Sequence, residues 1–141
     1  MTEYFSQPTI TYETASAAVA AAIRIGAESG VRVVVTVVDP SMTVVALGRA
    51  DGATPHSLET SRRKAGTAAS TRKPSTAIRP DLTVAIEHGS GGLLTSIGGG
   101  VPLVFGGVHV GGLGVAGGSP EQDVEIATAV LAAIGADEVA R

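Results

Sequence analysis

The sequence predicts an α+β domain in which helices flank a mostly antiparallel sheet of five strands. The runs Val31–Val38 and Thr43–Leu47 are rich in β-branched residues, and the turn-forming residues 39–41 separate them. Two later apolar runs are joined by Gly106-Gly107, which is typical of a two-residue hairpin turn. Because tight turns join antiparallel strands, most of the sheet is expected to be antiparallel.

Helix-forming segments lie before, between and after these hairpins. Residues 11–29 are rich in alanine and end before Gly30, a common residue after a helix C-terminus. Small apolar residues recur at helical spacing over residues 55–70, and a shorter helix is expected over residues 81–88. The glycines in residues 89–92 either end that helix or form a flexible linker. The predicted helices are Thr11–Ser29, Pro55–Ser70, about Asp81–His88 and Pro120–Ile134.

The C-terminal half contains the other expected strands and the start of the last helix. The strands are predicted over Leu93–Ile97, Val101–Phe105 and Val108–Val115. Ser119 is expected to cap the last helix, with Pro120 at its first position and Gln122 completing a capping box.

The composition limits the classes of function. At 141 residues the chain is expected to form one domain over residues 1–141. The net charge of −3 argues against nucleic-acid binding, and the lack of cysteine excludes disulfides and thiolate chemistry. Since we find neither a secretory signal nor about 18 consecutive apolar residues, we expect a soluble, cytoplasmic protein that does not enter membranes.

Polar residues cluster around the start of the second predicted helix, and they are Arg49, Asp51, His56 and Lys64. We predict catalytic roles for Asp51, His56 and Lys64, and ligand binding by Arg49 and Lys64. Simpler interpretations stay open, because aspartate is favoured in turns and a histidine in a first helical turn is often solvated. A partly buried Lys64 would need a carboxylate or a ligand anion as its partner.

The glycine-rich C-terminal segments form a second group of candidates. Exposed glycine amides and a helix N-terminus favour anions or carbonyl oxygens. The predicted ligand-binding residues of this group are Gly99, Gly100, Gly117, Gly118 and Glu121. Acidic residues such as Glu121 are also expected in a first helical turn from the helix dipole alone.

The three histidines, His56, His88 and His109, show no metal-ligand spacing, so we expect no structural metal site. The simplest interpretation of His109 is a half-exposed strand residue.

Five motifs in one order resemble the GlcG/HbpS family of small haem-binding and haem-degrading-type proteins, which also supplies the C-terminal domain of PduO-type cobalamin adenosyltransferases. The motifs are Val-Val-Asp-Pro before the first hairpin, Arg49-x-Asp51-Gly52-Ala53, Ser57 to Ala68, Gly98 to Pro102, and Gly112 to Asp123. The resemblance implies a profilin-like fold, homo-oligomers up to octamers, and a small ligand bound near a subunit interface.

Haem is the ligand that this resemblance favours. Its propionates would pair with Arg49 or Lys64, and His56, His88 or His109 would supply an imidazole to the iron. One alternative is a cofactor-independent lyase, hydratase or isomerase acting on a small organic acid or enol. Another is a purely structural oligomer or partner-binding module.

Overall fold

The computed structural model describes residues 1–139, and in these residues four antiparallel strands form one sheet flanked by four α-helices. The strands are β1 Val34–Val38, β2 Val44–Arg49, β3 Gly100–Phe105 and β4 Val108–Ala116. The α-helices are α1 Tyr12–Glu28, α2 Ser57–Thr71, α3 Thr83–Gly89 and α4 Pro120–Ile134. Two short 3-10 helices, Ser75–Ala77 and Pro80–Leu82, lie between α2 and α3. The predicted α+β class and antiparallel sheet are confirmed.

The strand order is β2-β1-β4-β3, and every neighbouring pair is antiparallel. Helices α1 and α4 pack together on one face of the sheet, and α2 packs on β1, β3 and β4 on the other. All five residues of Val34–Val38 are buried, because helices cover both faces of β1. The larger apolar core lies under α1 and α4.

The prediction of a fifth strand over Leu93–Ile97 is wrong, because this segment is a loop. Several backbone N–H groups of this loop donate hydrogen bonds to side chains and not to a neighbouring strand. The Thr95 N–H donates to Thr67 Oγ1 at 2.9 Å, and the Ser96 N–H donates to Glu87 Oε1 at 3.1 Å. The Ser96 N–H and the Thr95 hydroxyl, which also donates to Glu87 Oε1, lower the pKa of Glu87, since they stabilise the charged carboxylate.

The predicted turn and cap signals are confirmed. Both glycines of Gly106-Gly107 have positive φ, +56° and +80°, as the tight hairpin requires. Ser119 Oγ accepts from the Gln122 N–H, and the Gln122 side chain accepts from the Ser119 N–H, so the capping box is complete. Gly135 ends α4 with φ +74°.

No helix in residues 1–139 is long and apolar enough to cross a membrane. The single domain over residues 1–141 stays a prediction, and residues 140–141 lie outside those described.

Candidate functional site

A buried ion pair joins α2 to α4. Lys64 Nζ lies 2.8 Å from Asp123 Oδ2, and it donates to the backbone oxygen of Val115 at 2.8 Å. The Lys64 side chain is 1% exposed and that of Asp123 is 2% exposed. Because α2 and α4 pack on opposite faces of the sheet, this pair connects the two layers across the sheet.

Glycines provide the space through which Lys64 reaches Asp123. A Cβ on Gly99 would lie 3.0 Å from Lys64 Nζ, and a Cβ on Gly100 would overlap the Lys64 backbone oxygen. The Gly118 N–H donates to Asp123 Oδ1 at 2.9 Å, so both carboxylate oxygens have partners. The anionic partner that burial of Lys64 requires is therefore Asp123.

Burial lowers the pKa of Lys64, because removal from water disfavours the ammonium. The hydrogen bond and the negative charge of Asp123 oppose this shift. A ligand anion at Lys64 would have to displace Asp123 or the Val115 oxygen.

The predicted glycine amides serve contacts within the chain. The Gly100 N–H donates to Ser75 Oγ at 3.0 Å, and the Gly118 N–H donates to Asp123. A Cβ on Gly117 would overlap the backbone oxygen of Arg32. Glu121 is exposed in the first turn of α4. The ligand-binding role of these residues stays a prediction.

Arg49, Asp51 and His56 lie at the surface, apart from the buried Lys64. His56 precedes α2 without forming a side-chain cap hydrogen bond, and its imidazole has no hydrogen-bond partner within residues 1–139. Arg49 forms no ion pair within the same part of the chain. The structure thus divides the predicted cluster into a buried part and an exposed part.

Arg49, in the exposed part of the cluster, lies on a part of the sheet that α2 does not cover. Leu47 pairs with Thr36, and Thr36 Oγ1 is hydrogen-bonded to Ser61 Oγ of α2 at 2.7 Å. Since cross-strand partners share a face, Leu47 lies on the face that α2 covers. Arg49 lies two residues further along and therefore on the same face. However, α2 packs mainly on the other three strands, so this face of β2 stays exposed.

The start of α2 lies at the same end of the sheet as Arg49. The Ser61 backbone oxygen lies against Gly114, and the Ala69 oxygen contacts His109, so α2 runs toward the His109 end of β4. Arg49 lies at the opposite end, because it and Ala116 both pair with Val34. We use the name β2 shelf for the exposed residues Val44, Leu47 and Arg49 of β2 together with the exposed His56 and Leu58 at the start of α2.

His109 is buried, whereas the sequence favoured a half-exposed residue. Its Nε2 lies 2.9 Å from the Ala69 backbone oxygen, and its Nδ1 has no partner among residues 1–139. A carbonyl accepts hydrogen bonds, so Nε2 carries the proton of the neutral ring. Burial lowers the pKa of His109, the Ala69 hydrogen bond opposes the shift, and nearby Arg72 adds to it.

We expect His109 to make the protein less stable in acid. Because its pKa is lower in the folded state, the unfolded chain binds more protons as the pH falls below about 6.5. Between pH 7.5 and 5.5, the free energy of unfolding should decrease by up to about 1.4 kcal/mol per pH unit. Urea denaturation at both pH values measures this, and His109→Gln should reduce the decrease. His88→Gln is the matched control, and equal decreases in all three proteins would contradict the assignment.

An apolar groove of about 700 Å³ lies between α4, β3 and the first 3-10 helix. Its lining residues are Pro74, Thr76, Ala77, Val101, Val124, Thr128, Leu131, Ala132, Ala136, Glu138 and Val139. Among residues 1–139, no histidine, lysine or arginine lines the groove. The groove therefore suits apolar groups and hydrogen-bond donors better than it suits anions.

The chain matches a known family of small α+β domains in sequence and in fold. A family model described as "Haem degrading protein HbpS-like" matches residues 10–132. The chain belongs to this HbpS-like family.

Two of its relatives are considerably longer proteins. It is 35% identical over 119 residues to the corrinoid adenosyltransferases PduO of Citrobacter freundii and Salmonella typhimurium. That match covers 81% of this chain and 36% and 35% of those proteins, so the chain spans about a third of their length.

Two solved structures cover nearly the whole chain. A double mutant of HbpS from Streptomyces reticuli is 32% identical, with a TM-score of 0.85 over 96% of this chain and 93% of that one. A complex of PduOC with haem is 28% identical, with a TM-score of 0.86 over 94% of this chain and 99% of that one.

Proposed function

We propose that this protein binds haem on the β2 shelf. The observation that carries the proposal is that Val44, Leu47 and Leu58 are exposed apolar side chains, and that the exposed Arg49 and His56 lie on or next to the same two elements. Membership of the HbpS-like family and the similarity to a PduOC–haem complex support haem as the ligand.

The residues of the shelf match the chemistry of haem. The exposed apolar side chains suit the faces of the macrocycle, and the Arg49 guanidinium suits a propionate. His56 offers an imidazole that needs to break no hydrogen bond within residues 1–139 before it ligates iron. Bound haem would supply a redox-active iron centre. Lys64 is a poorer propionate partner, because its ammonium is buried and already bonded.

The other histidines fit less well. His109 is buried, and its free Nδ1 faces no solvent. His88 is exposed at the end of α3, on a different element from the shelf. In the part of the chain that the structure describes, neither an imidazole nor a cation lines the apolar groove. The shelf is open, so a complete haem pocket would require a second subunit, in keeping with the expected homo-oligomer.

Titration with haem tests the proposal, with the Soret band as the readout. The wild-type protein should shift this band on binding. His56→Ala should abolish the shift, and Arg49→Ala should weaken affinity about tenfold, since a hydrogen bond between charged groups contributes about 1.5 kcal/mol. His88→Ala is the matched control and should bind as the wild type does. A wild-type protein without any shift, or an unchanged His56→Ala, would overturn the proposal.

The cofactor-independent enzyme with Asp51, His56 and Lys64 stays a prediction, and the burial of Lys64 lends it little support. Assembly into homo-oligomers up to octamers, the profilin-like fold and a cytoplasmic location also stay predictions.

A further inference from the structure

The chain carries two of its four aromatic side chains next to each other on an exposed N-terminal arm, residues 1–9. It has two tyrosines, two phenylalanines and no tryptophan, and three of these four lie in residues 1–12. Tyr4 is 78% exposed and Phe5 is 84% exposed. The arm meets the core at Ile10, which is buried and whose N–H donates to the Val110 oxygen at 3.0 Å.

Exposed aromatic side chains next to each other are costly in water and are frequent anchors of protein interfaces. All nine residues of the arm are exposed, so neither ring packs into the core of its own chain. An extended arm can carry Tyr4 up to about 20 Å from Ile10, which is far enough to contact another molecule.

We propose that the arm of one copy docks into the apolar groove of a second copy, with Tyr4 and Phe5 as its anchors. The groove is lined mainly by small apolar side chains, which leave room for large rings. The Glu138 carboxylate and the Thr76 and Thr128 hydroxyls supply acceptors for the Tyr4 hydroxyl. Within residues 1–139 the lining offers no cation to haem propionates, so the groove and the β2 shelf suit different occupants.

The area of a reciprocal exchange matches that of a stable dimer. Each aromatic side chain buries about 200 Å². Two rings from each of two arms, together with an equal area of groove surface, bury about 1,600 Å² in total, the size of a standard specific interface. One arm folded back into its own groove would bury about half of this area and would leave no contact between copies.

Engineered cysteines test the contact cleanly, because the chain has none of its own. Ser6→Cys places a thiol beside Phe5 and keeps both anchors, and Thr128→Cys places one in the groove. The two variants, coexpressed with different tags and oxidised mildly, should form a mixed disulfide between copies. Glu125→Cys, exposed on α4 outside the groove lining, is the matched control and should crosslink at least tenfold more slowly.

The double variant Ser6→Cys/Thr128→Cys separates the two possible arrangements. If the double variant forms its disulfide within one chain, giving an oxidised product of monomer mass, the proposal is wrong. In the coexpression experiment, a mixed disulfide that forms no faster than with the Glu125→Cys control also overturns it.

A second measurement leaves the groove untouched. Tyr4→Ser/Phe5→Ser should weaken self-association about 100-fold in sedimentation equilibrium, because two interface anchors are lost. Tyr12→Ser removes an exposed aromatic outside the arm and should leave self-association unchanged. Equal association of these two variants would overturn the proposal. Neither experiment measures haem binding, so their outcomes do not depend on the proposed function.

Discussion

Replacing Lys64 by methionine should destabilise the protein by about 3–5 kcal/mol, one of the two largest effects expected from a single substitution. Methionine fills a similar volume but leaves the Asp123 carboxylate buried without its cationic partner. The Val115 oxygen loses its donor as well. Since the pair connects α2 to α4 across the sheet, the loss should affect the whole domain and not one helix.

Urea denaturation followed by far-ultraviolet circular dichroism measures this effect, because the chain has no tryptophan for fluorescence. Lys73→Met is the matched control: Lys73 is exposed and is the other lysine of the chain, so its loss should cost less than about 0.5 kcal/mol.

A double variant distinguishes loss of the ion pair from loss of packing. Lys64→Met/Asp123→Asn removes the buried charge and keeps an acceptor for the Gly118 N–H. It should be more stable than Lys64→Met alone, because no uncompensated carboxylate remains. If Lys64→Met unfolds at the same urea concentration as the wild type, the ion pair does not hold the layers together.

Replacing Gly114 by alanine should destabilise the protein by about 3 kcal/mol, because α2 packs backbone to backbone on β4. A Cβ at position 114 would overlap the Ser61 oxygen and would lie 2.5 Å from the Ala65 nitrogen. Backbone atoms of a helix cannot rotate away as a side chain can, so the whole of α2 would have to move.

The same measurement of unfolding free energy applies to this variant. Gly89→Ala is the matched control, since a Cβ there would meet no atom within 4 Å and neither glycine has the positive φ that favours glycine. It should change stability by less than about 0.5 kcal/mol. Equal unfolding midpoints for Gly114→Ala and Gly89→Ala would show that α2 lies further from the sheet.

Local sequence signals predicted the elements that depend on local physics. The capping box at Ser119 and the hairpin at Gly106-Gly107 involve residues close in sequence, so their geometry follows from residue type alone. The continuous valine run of β1 predicted burial on both faces, because it has no alternation of apolar and polar residues. The prediction failed at Leu93–Ile97, because side chains of Glu87 and Thr67 bind its backbone donors.

The candidate site could be predicted only in part. The sequence indicated that a buried Lys64 needs an anion, but its partner Asp123 lies 59 residues away. The helix dipole alone accounts for an acidic residue in a first helical turn, so nothing in the sequence marked Asp123 as that partner. His109 carries no local signal of its burial, since its Ala69 partner lies 40 residues earlier.

The sequence by itself determined the α+β class, the hairpins, the helix ends and the resemblance to the HbpS-like family, since each rests on residue types at short spacing. Only the tertiary structure decided what the glycine-rich strands contact. It packs α2 against Gly112 and Gly114 and passes Lys64 beside Gly99, so these glycines serve close packing within the chain. The physical reason is that a missing side chain permits close approach of any group, and only the folded chain specifies which group occupies the space.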